Sequence, residues 1–210
     1  MTASVAEETS PDDRHWYIVT RWQEYDGEAR ANLIRIVSIG LFYIVEFLHY
    51  YCFLDAAGRS DSLRFHQGVT ALAVAWTMVA LGVLLCLRGQ VFPATLKYIS
   101  TCCDVVLLTS MASIGNGPHS PLVLVYFLII GLATLRFSLT LIWCTTIATM
   151  IGYIATVGLS DRTWFNSEHT VSPVEQMVVL LSLALTGMVL GQVIRRFRIM
   201  ADEFARRERQ

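Results

Sequence analysis

Near its end the chain carries an apolar span, Val174 to Ile194, that passes without a break into Arg195-Arg196-Phe197-Arg198 and on to Gln210. As a helix the span measures about 31 Å, one hydrocarbon core, and a basic cluster at its exit marks the cytoplasmic side. A chain built this way leaves a membrane. No Gly or Pro interrupts residues 192–210, and Asp202/Arg206 and Glu203/Arg207 are acid-before-base pairs at i,i+4. Such pairs favour a helix that persists into water and can carry motion outward.

Composition agrees: 54% hydrophobic and 16% charged residues, with a mean hydropathy of +0.51, exclude an ordinary soluble domain. The formal net charge of −1 hides an asymmetry, because the charges sit in the first 35 residues, in short loops and in the last 16. Cys52, Cys86, Cys102, Cys103 and Cys144 fall within or at the ends of apolar segments with no C-x-x-C spacing. They read as small lipid- or core-facing residues, not as zinc ligands or disulfides.

Met1 to Ser10 is polar and lacks the basic-then-apolar order of a cleaved signal peptide, so the N-terminus is expected to be retained. Ser10-Pro11-Asp12-Asp13 is a helix-start pattern. Ile18, Trp22, Tyr25 and Ala29 then recur at helical spacing among Arg14, Arg21, Glu24 and Glu28, and with Trp16 and Tyr17 they suit an interfacial amphipathic helix. A helix packed in a soluble domain has the same pattern.

Six apolar segments follow, near 32–54, 68–88, 95–115, 121–137, 139–159 and 174–194, the fourth being shortest and joined to the fifth by Arg136-Phe137-Ser138 alone. That pair is expected to form a tight helical hairpin, since lipid does not tolerate exposed irregular backbone. Alternating sides put 13 of the 16 Lys and Arg residues on one side and only Arg59, Arg64 and Arg162 on the other. The expected fold is therefore all-α and polytopic, with six transmembrane helices, an N-terminal interfacial helix and a cytoplasmic helix continuing the last span. Residues 1–30 form the tail and interfacial helix, 31–194 the membrane domain and 195–210 a linker helix. Both termini are expected in the cytoplasm, on the inner cell membrane. No repeat suggests a transporter of inverted halves.

Ionisable groups within apolar spans mark function because they are costly in hydrocarbon unless paired or hydrated. Glu46 and Asp104 qualify. Glu46 and His49 share a face at i,i+3, the spacing by which helical bundles offer a carboxylate and an imidazole to a metal. A di-metal site needs a second such pair, so the stronger expectation is that Glu46 bonds His49, Tyr43 or Tyr50 and fixes helix rotation. Asp104 is expected to pair with Lys97 or a hydroxyl, and Arg35 to snorkel to the inner boundary. His66, His119 and His169, with His49, lie toward the outer side, where they suit solvated loops, external metal or pH sensing; a b-type haem lacks a second buried ligand.

Packing signals are clearer. Gly187-x-x-x-Gly191 and Ala148-x-x-x-Gly152-x-x-x-Thr156 are small-residue faces for bundle packing or dimerisation. Ile194, Phe197, Ala201 and Phe204 continue the first of these as a short 3-4-3 seam suited to a homodimer contact, the alternative being a helix lying back on the membrane.

With Arg30-Ala31-Asn32-Leu33-Ile34-Arg35-Ile36, Phe42-Tyr43-Ile44-Val45-Glu46 and Gly191-Gln192-Val193-Ile194-Arg195-Arg196, residues 14–210 resemble the membrane module at the N-terminus of bacterial class III adenylate or guanylate cyclases and sensor histidine kinases. The resemblance implies a non-catalytic sensor or anchor whose exit helix drives a cytoplasmic effector. The sequence departs from that pattern in stopping at Gln210 without a cyclase or kinase domain, so a truncated product, a partner for a separate effector, or a module with another job is expected. With no phosphate loop or nucleophile motif, no enzymatic activity, cofactor or nucleic-acid partner is expected. The competing class is a small transporter or channel in which Glu46 and Asp104 line one water path.

Overall fold

The computed structural model describes residues 11–53, 56–89, 93, 95–160 and 171–208, the side chains of 11–24, 56–61, 202, 204–206 and 208 excepted. They form six α-helices: α1 (Pro11–Leu48), α2 (Ala56–Arg88), α3 (Leu96–Ile114), α4 (Val125–Thr134), α5 (Leu139–Ser160) and α6 (Pro173–Glu208). A π-helical turn, His49–Phe53, ends α1, and two short 3₁₀ segments, Gly117–His119 and Pro121–Leu124, lead into α4.

Among the described residues four stretches are long and apolar enough to cross a membrane: Tyr25–Phe53, Ser62–Arg88, Leu139–Ser160 and Pro173–Ala201. Their outer faces expose Leu33, Val37 and Val45 on α1, Met78 and Leu85 on α2, Ile147 and Ile151 on α5, and Leu181 and Met188 on α6. A surface of this kind is made for lipid. The other two expected spans differ. Helix α3 carries Lys97, Asp104 and five Ser or Thr residues, and Pro121–Thr134 is a shorter apolar helix, about 21 Å long against a core of about 30 Å. Helix α4 lies inside the bundle, with Tyr126 and Ile130 fully buried, whereas α3 buries Ser100, Asp104 and Leu108 on one face, where protein satisfies the polar groups, and exposes Ile99 and Val106 on the other.

The first helix also departs from expectation. No turn separates an interfacial helix from the first span: α1 runs unbroken for 38 residues, about 57 Å, through residue 30. The reason lies one turn inside. Gly27 lets α1 pass against the α4–α5 turn so closely that a Cβ there would stand 2.5 Å from the Leu135 carbonyl oxygen, and Glu28, Ala31, Asn32 and Arg35 then bury on one face at i, i+3, i+4, i+7.

Successive helices reverse direction, so the bundle has two ends. Glu28, Lys97, Arg136 and Arg198 gather at one; Glu46, His66, Gly117 and Ser160 lie toward the other. Between them Gly152 brings α5 against α3 and α4, its would-be Cβ 2.8 Å from Thr109 Oγ1 and 3.1 Å from the Tyr126 ring. Gly187 is pressed on Thr146 in the same way, and Gly191 lies over Leu139. The small-residue faces are thus used for packing within the protomer. The expected tight hairpin of the fourth and fifth segments is present, its turn at Arg136-Phe137-Ser138, where Phe137 takes φ = 48°, a left-handed conformation that costs an L-residue roughly 1–2 kcal/mol.

Candidate functional site: a buried ionic network

Two buried ion pairs stand among the described residues of the bundle. Arg35 of α1 grips Asp104 of α3, with Nε donating at 2.8 and 3.1 Å and Nη2 at 2.7 Å. Trp76 of α2 donates its indole N–H to Asp104 Oδ1 at 2.7 Å. Asn32 accepts from Arg35 Nη1 at 2.8 Å and donates to the Ala80 carbonyl at 3.0 Å. Arg35 and Asp104 are 2% and 3% exposed, so the pair neutralises itself inside the protein. Asp104 is therefore held by Arg35 and Trp76, not by Lys97, and Arg35 turns inward instead of snorkelling. Its register explains this: seven residues beyond Glu28, it lies on the α1 face that packs against α2 and α3.

The second pair joins Glu28 of α1 to Arg136 of the α4–α5 turn. Arg136 Nη2 donates to Glu28 Oε1 at 2.8 Å and Nε stands 2.7 Å from Oε2, the latter off the hydrogen-bonding angle. The guanidinium also donates to Thr101 Oγ1, Ser100 Oγ and the Lys97 carbonyl, at 2.5, 3.0 and 2.9 Å. Burial lowers the Arg136 pKa from its ordinary value, and the Glu28 carboxylate opposes that shift. The network continues to the exit helix. Arg198 of α6 donates to the Phe137 carbonyl, and Ile194 is buried against Ala133, Leu141 and Ile142. One chain of contacts therefore runs from α1 through the α4–α5 turn to α6.

Glu46 lies elsewhere, toward the opposite end of the bundle. Its carboxylate stands 3.6 Å from His66 Nδ1 on α2, and His66 stacks on Tyr50 with ring centroids 4.0 Å apart. The expected partner His49 is exposed, because the π-helical turn that begins there rotates Tyr50 inward instead. Among the described residues no group of three or more His, Cys, Asp or Glu side chains is placed to hold a metal ion. His119 is exposed, and His169 lies outside the described residues.

Of the seam on α6, Ile194 is buried within the protomer while Phe197 and Ala201 are exposed. The Phe204 side chain lies outside the described residues. Sequence reasoning missed Glu28 and Arg136 altogether. The available signal was a polar stripe, Glu28, Asn32 and Arg35, recurring at i, i+4, i+7 where the chain turns apolar, facing a lone arginine in a three-residue turn.

A narrow cleft lies between α1 and α4. Ile39 and Phe42 of α1, Leu108 and Met111 of α3, and Val125 and Ile129 of α4 make its walls apolar, and Arg35, Ser38 and Asp104 close its inner end. Deeper in the bundle, the Tyr126 hydroxyl bridges Thr109 and Thr156 at 2.8 and 3.2 Å. Compared with protein-family models, with curated proteins and with solved structures, the chain matches none.

Proposed function

We propose that the chain is a six-span membrane sensor or anchor, both termini cytoplasmic, that passes a signal through α6 to an effector of cyclase or kinase type. The observation that carries this reading is the continuous contact path from the Glu28–Arg136 pair, through Phe137 and Ile194, to a helix that runs on to Glu208. A shift of α1 against the α4–α5 turn would displace the base of that helix, because buried ion pairs exchange between discrete arrangements and do not stretch continuously. In the six-span arrangement α3 and Pro121–Thr134 cross as inner helices, and the cationic end, with Lys97, Arg136 and Arg198, faces the cytoplasm.

The transporter alternative has less support. Asp104 is engaged by Arg35 and Glu46 by His66, and the cleft wall between them is apolar.

The test is helical phase. A dimeric cyclase domain fused after Gln210 is preceded by insertions of one to four Ala residues, each rotating the effector by about 100°. Output that oscillates with the helical period, and that Glu28→Gln changes, supports transmission. Output independent of both phase and Glu28 leaves a passive anchor.

A further inference from the structure

We infer that the α4–α5 turn is a two-position catch for the exit helix: Arg198 holds Phe137 left-handed, and relaxation of Phe137 swings its carbonyl away and frees α6. The inference deepens the sensor reading by naming the element that would switch. It rests on that reading only for the signal, since the turn is observable without an effector.

A reversal this short leaves little choice of backbone. Helix α4 ends at Thr134, α5 begins at Leu139, and both flanks of the turn are fixed. On the α4 side the Leu135 carbonyl lies against Gly27, and the Arg136 guanidinium is tied to Glu28, Ser100, Thr101 and the Lys97 carbonyl. On the α5 side Ser138 caps the helix, its carbonyl accepting from the Ile142 N–H at 3.1 Å and its hydroxyl from the Leu141 N–H at 3.4 Å. Phe137, between them, absorbs the reversal, and among the described residues it is the one non-glycine with a positive φ. Glycine takes such a position without cost; phenylalanine does not. Burial of the ring does not hold it there either, because Phe137 is 51% exposed.

What opposes the strain comes from α6. Arg198 donates through Nη2 to the Phe137 carbonyl. A hydrogen bond from a charged donor and the cost of a left-handed L-residue are of similar size and opposite sign. The two conformations therefore lie close in free energy, and the left- and right-handed backbone regions are separate basins with no continuum between them. Relaxation of Phe137 turns the peptide that carries its carbonyl, so Arg198 loses its acceptor. Ile194 still packs on Ala133, Leu141 and Ile142, but α6 beyond it loses its tie to the turn.

The dipeptide Phe-Ser occurs once in the chain, so ¹³C-phenylalanine combined with ¹⁵N-serine reports Phe137 alone in a nitrogen–carbonyl correlated solid-state NMR spectrum. In lipid bilayers the native chain should give one Phe137 signal with left-handed Cα and Cβ shifts. Arg198→Gln, a change at an exposed position, should add a right-handed or extended signal about fivefold or more above any in the native chain. Strain is tested separately: Phe137→Gly should unfold about 2–4 °C above Phe137→Ala, the reverse of their order at a right-handed position. A left-handed signal unchanged in Arg198→Gln, or Phe137→Ala at least as stable as Phe137→Gly, overturns the catch and leaves an ordinary helix stop. If Phe137 switches in Arg198→Gln while a fused effector ignores helical phase, the catch stands and the sensor reading falls.

Discussion

Removing the Asp104 carboxylate isolates the Arg35 charge. Asp104 receives three N–H donors, two from Arg35 and one from Trp76, at a site with almost no exposure. Asp104→Leu leaves a buried guanidinium with Asn32 alone and an indole N–H with nothing. Breaking a buried pair in this way costs about 3–5 kcal/mol. Arg35→Leu leaves the buried carboxylate with Trp76 alone and is expected to cost about 3 kcal/mol. The double variant removes both charges and leaves the Trp76 N–H and one side of Asn32 unsatisfied, about 1–3 kcal/mol. The two single costs therefore exceed the double cost by roughly 3–7 kcal/mol, a coupling that independent sites never show. Reversible unfolding in mixed micelles, with all four chains measured in one detergent series, gives the cycle. Additivity within about 0.5 kcal/mol would refute the claim that the two side chains neutralise each other in the folded protein.

Gly27→Leu should destabilise the bundle by at least 2 kcal/mol, because its Cβ would meet the Leu135 carbonyl, whereas Gly40→Ala, with open space around it, should be neutral or gain up to about 1 kcal/mol; thermal unfolding compares them. Tyr126→Phe should cost about 0.5–1.5 kcal/mol through loss of the tyrosine's own hydrogen bond, since the Thr109 and Thr156 hydroxyls still donate to the Val105 and Gly152 carbonyls, read in the same assay. Glu46→Gln should be milder than Glu46→Leu, since an amide still reaches toward His66; equal and unchanged midpoints for both would mean that the carboxylate faces solvent. Cysteines introduced at Ser60, Asn116 and Ser167 should react with an impermeant outside reagent, and protection of Asn116 would reject the six-span order.

Helix number and order were legible in the sequence because hydropathy is a property of each segment by itself. Gly187 and Gly152 were equally legible as close-contact positions, though not their partners Thr146 and Thr109, which only the fold brings near. The ionic network was hidden for a related reason. Glu28 and Arg136 are separated by 108 positions, and Arg35 and Asp104 by 69, so no local pattern pairs them. Arg35 looked like a snorkelling residue because it sits near the membrane boundary, where hydropathy cannot tell an outward face from an inward one. Helix phase could: Glu28, Asn32 and Arg35 share the face opposite Leu33, Val37 and Leu41. The His66 partner of Glu46 depends on the π-helical turn, which adds a residue to α1 and turns Tyr50 inward in place of His49.

Transmission from the ionic network to α6 is best tested by one distance. Nitroxide labels at Arg30→Cys on α1 and Ile199→Cys on α6, in a background with the five native cysteines replaced, are measured by double electron–electron resonance in nanodiscs. The unmodified network should give a single narrow distribution, and Glu28→Gln should broaden and shift it, because the α4–α5 turn loses the pairing that holds it to α1. An identical distribution in Glu28→Gln would mean that α6 is set by its own contacts with α5, and that the buried pair carries no signal to the exit helix.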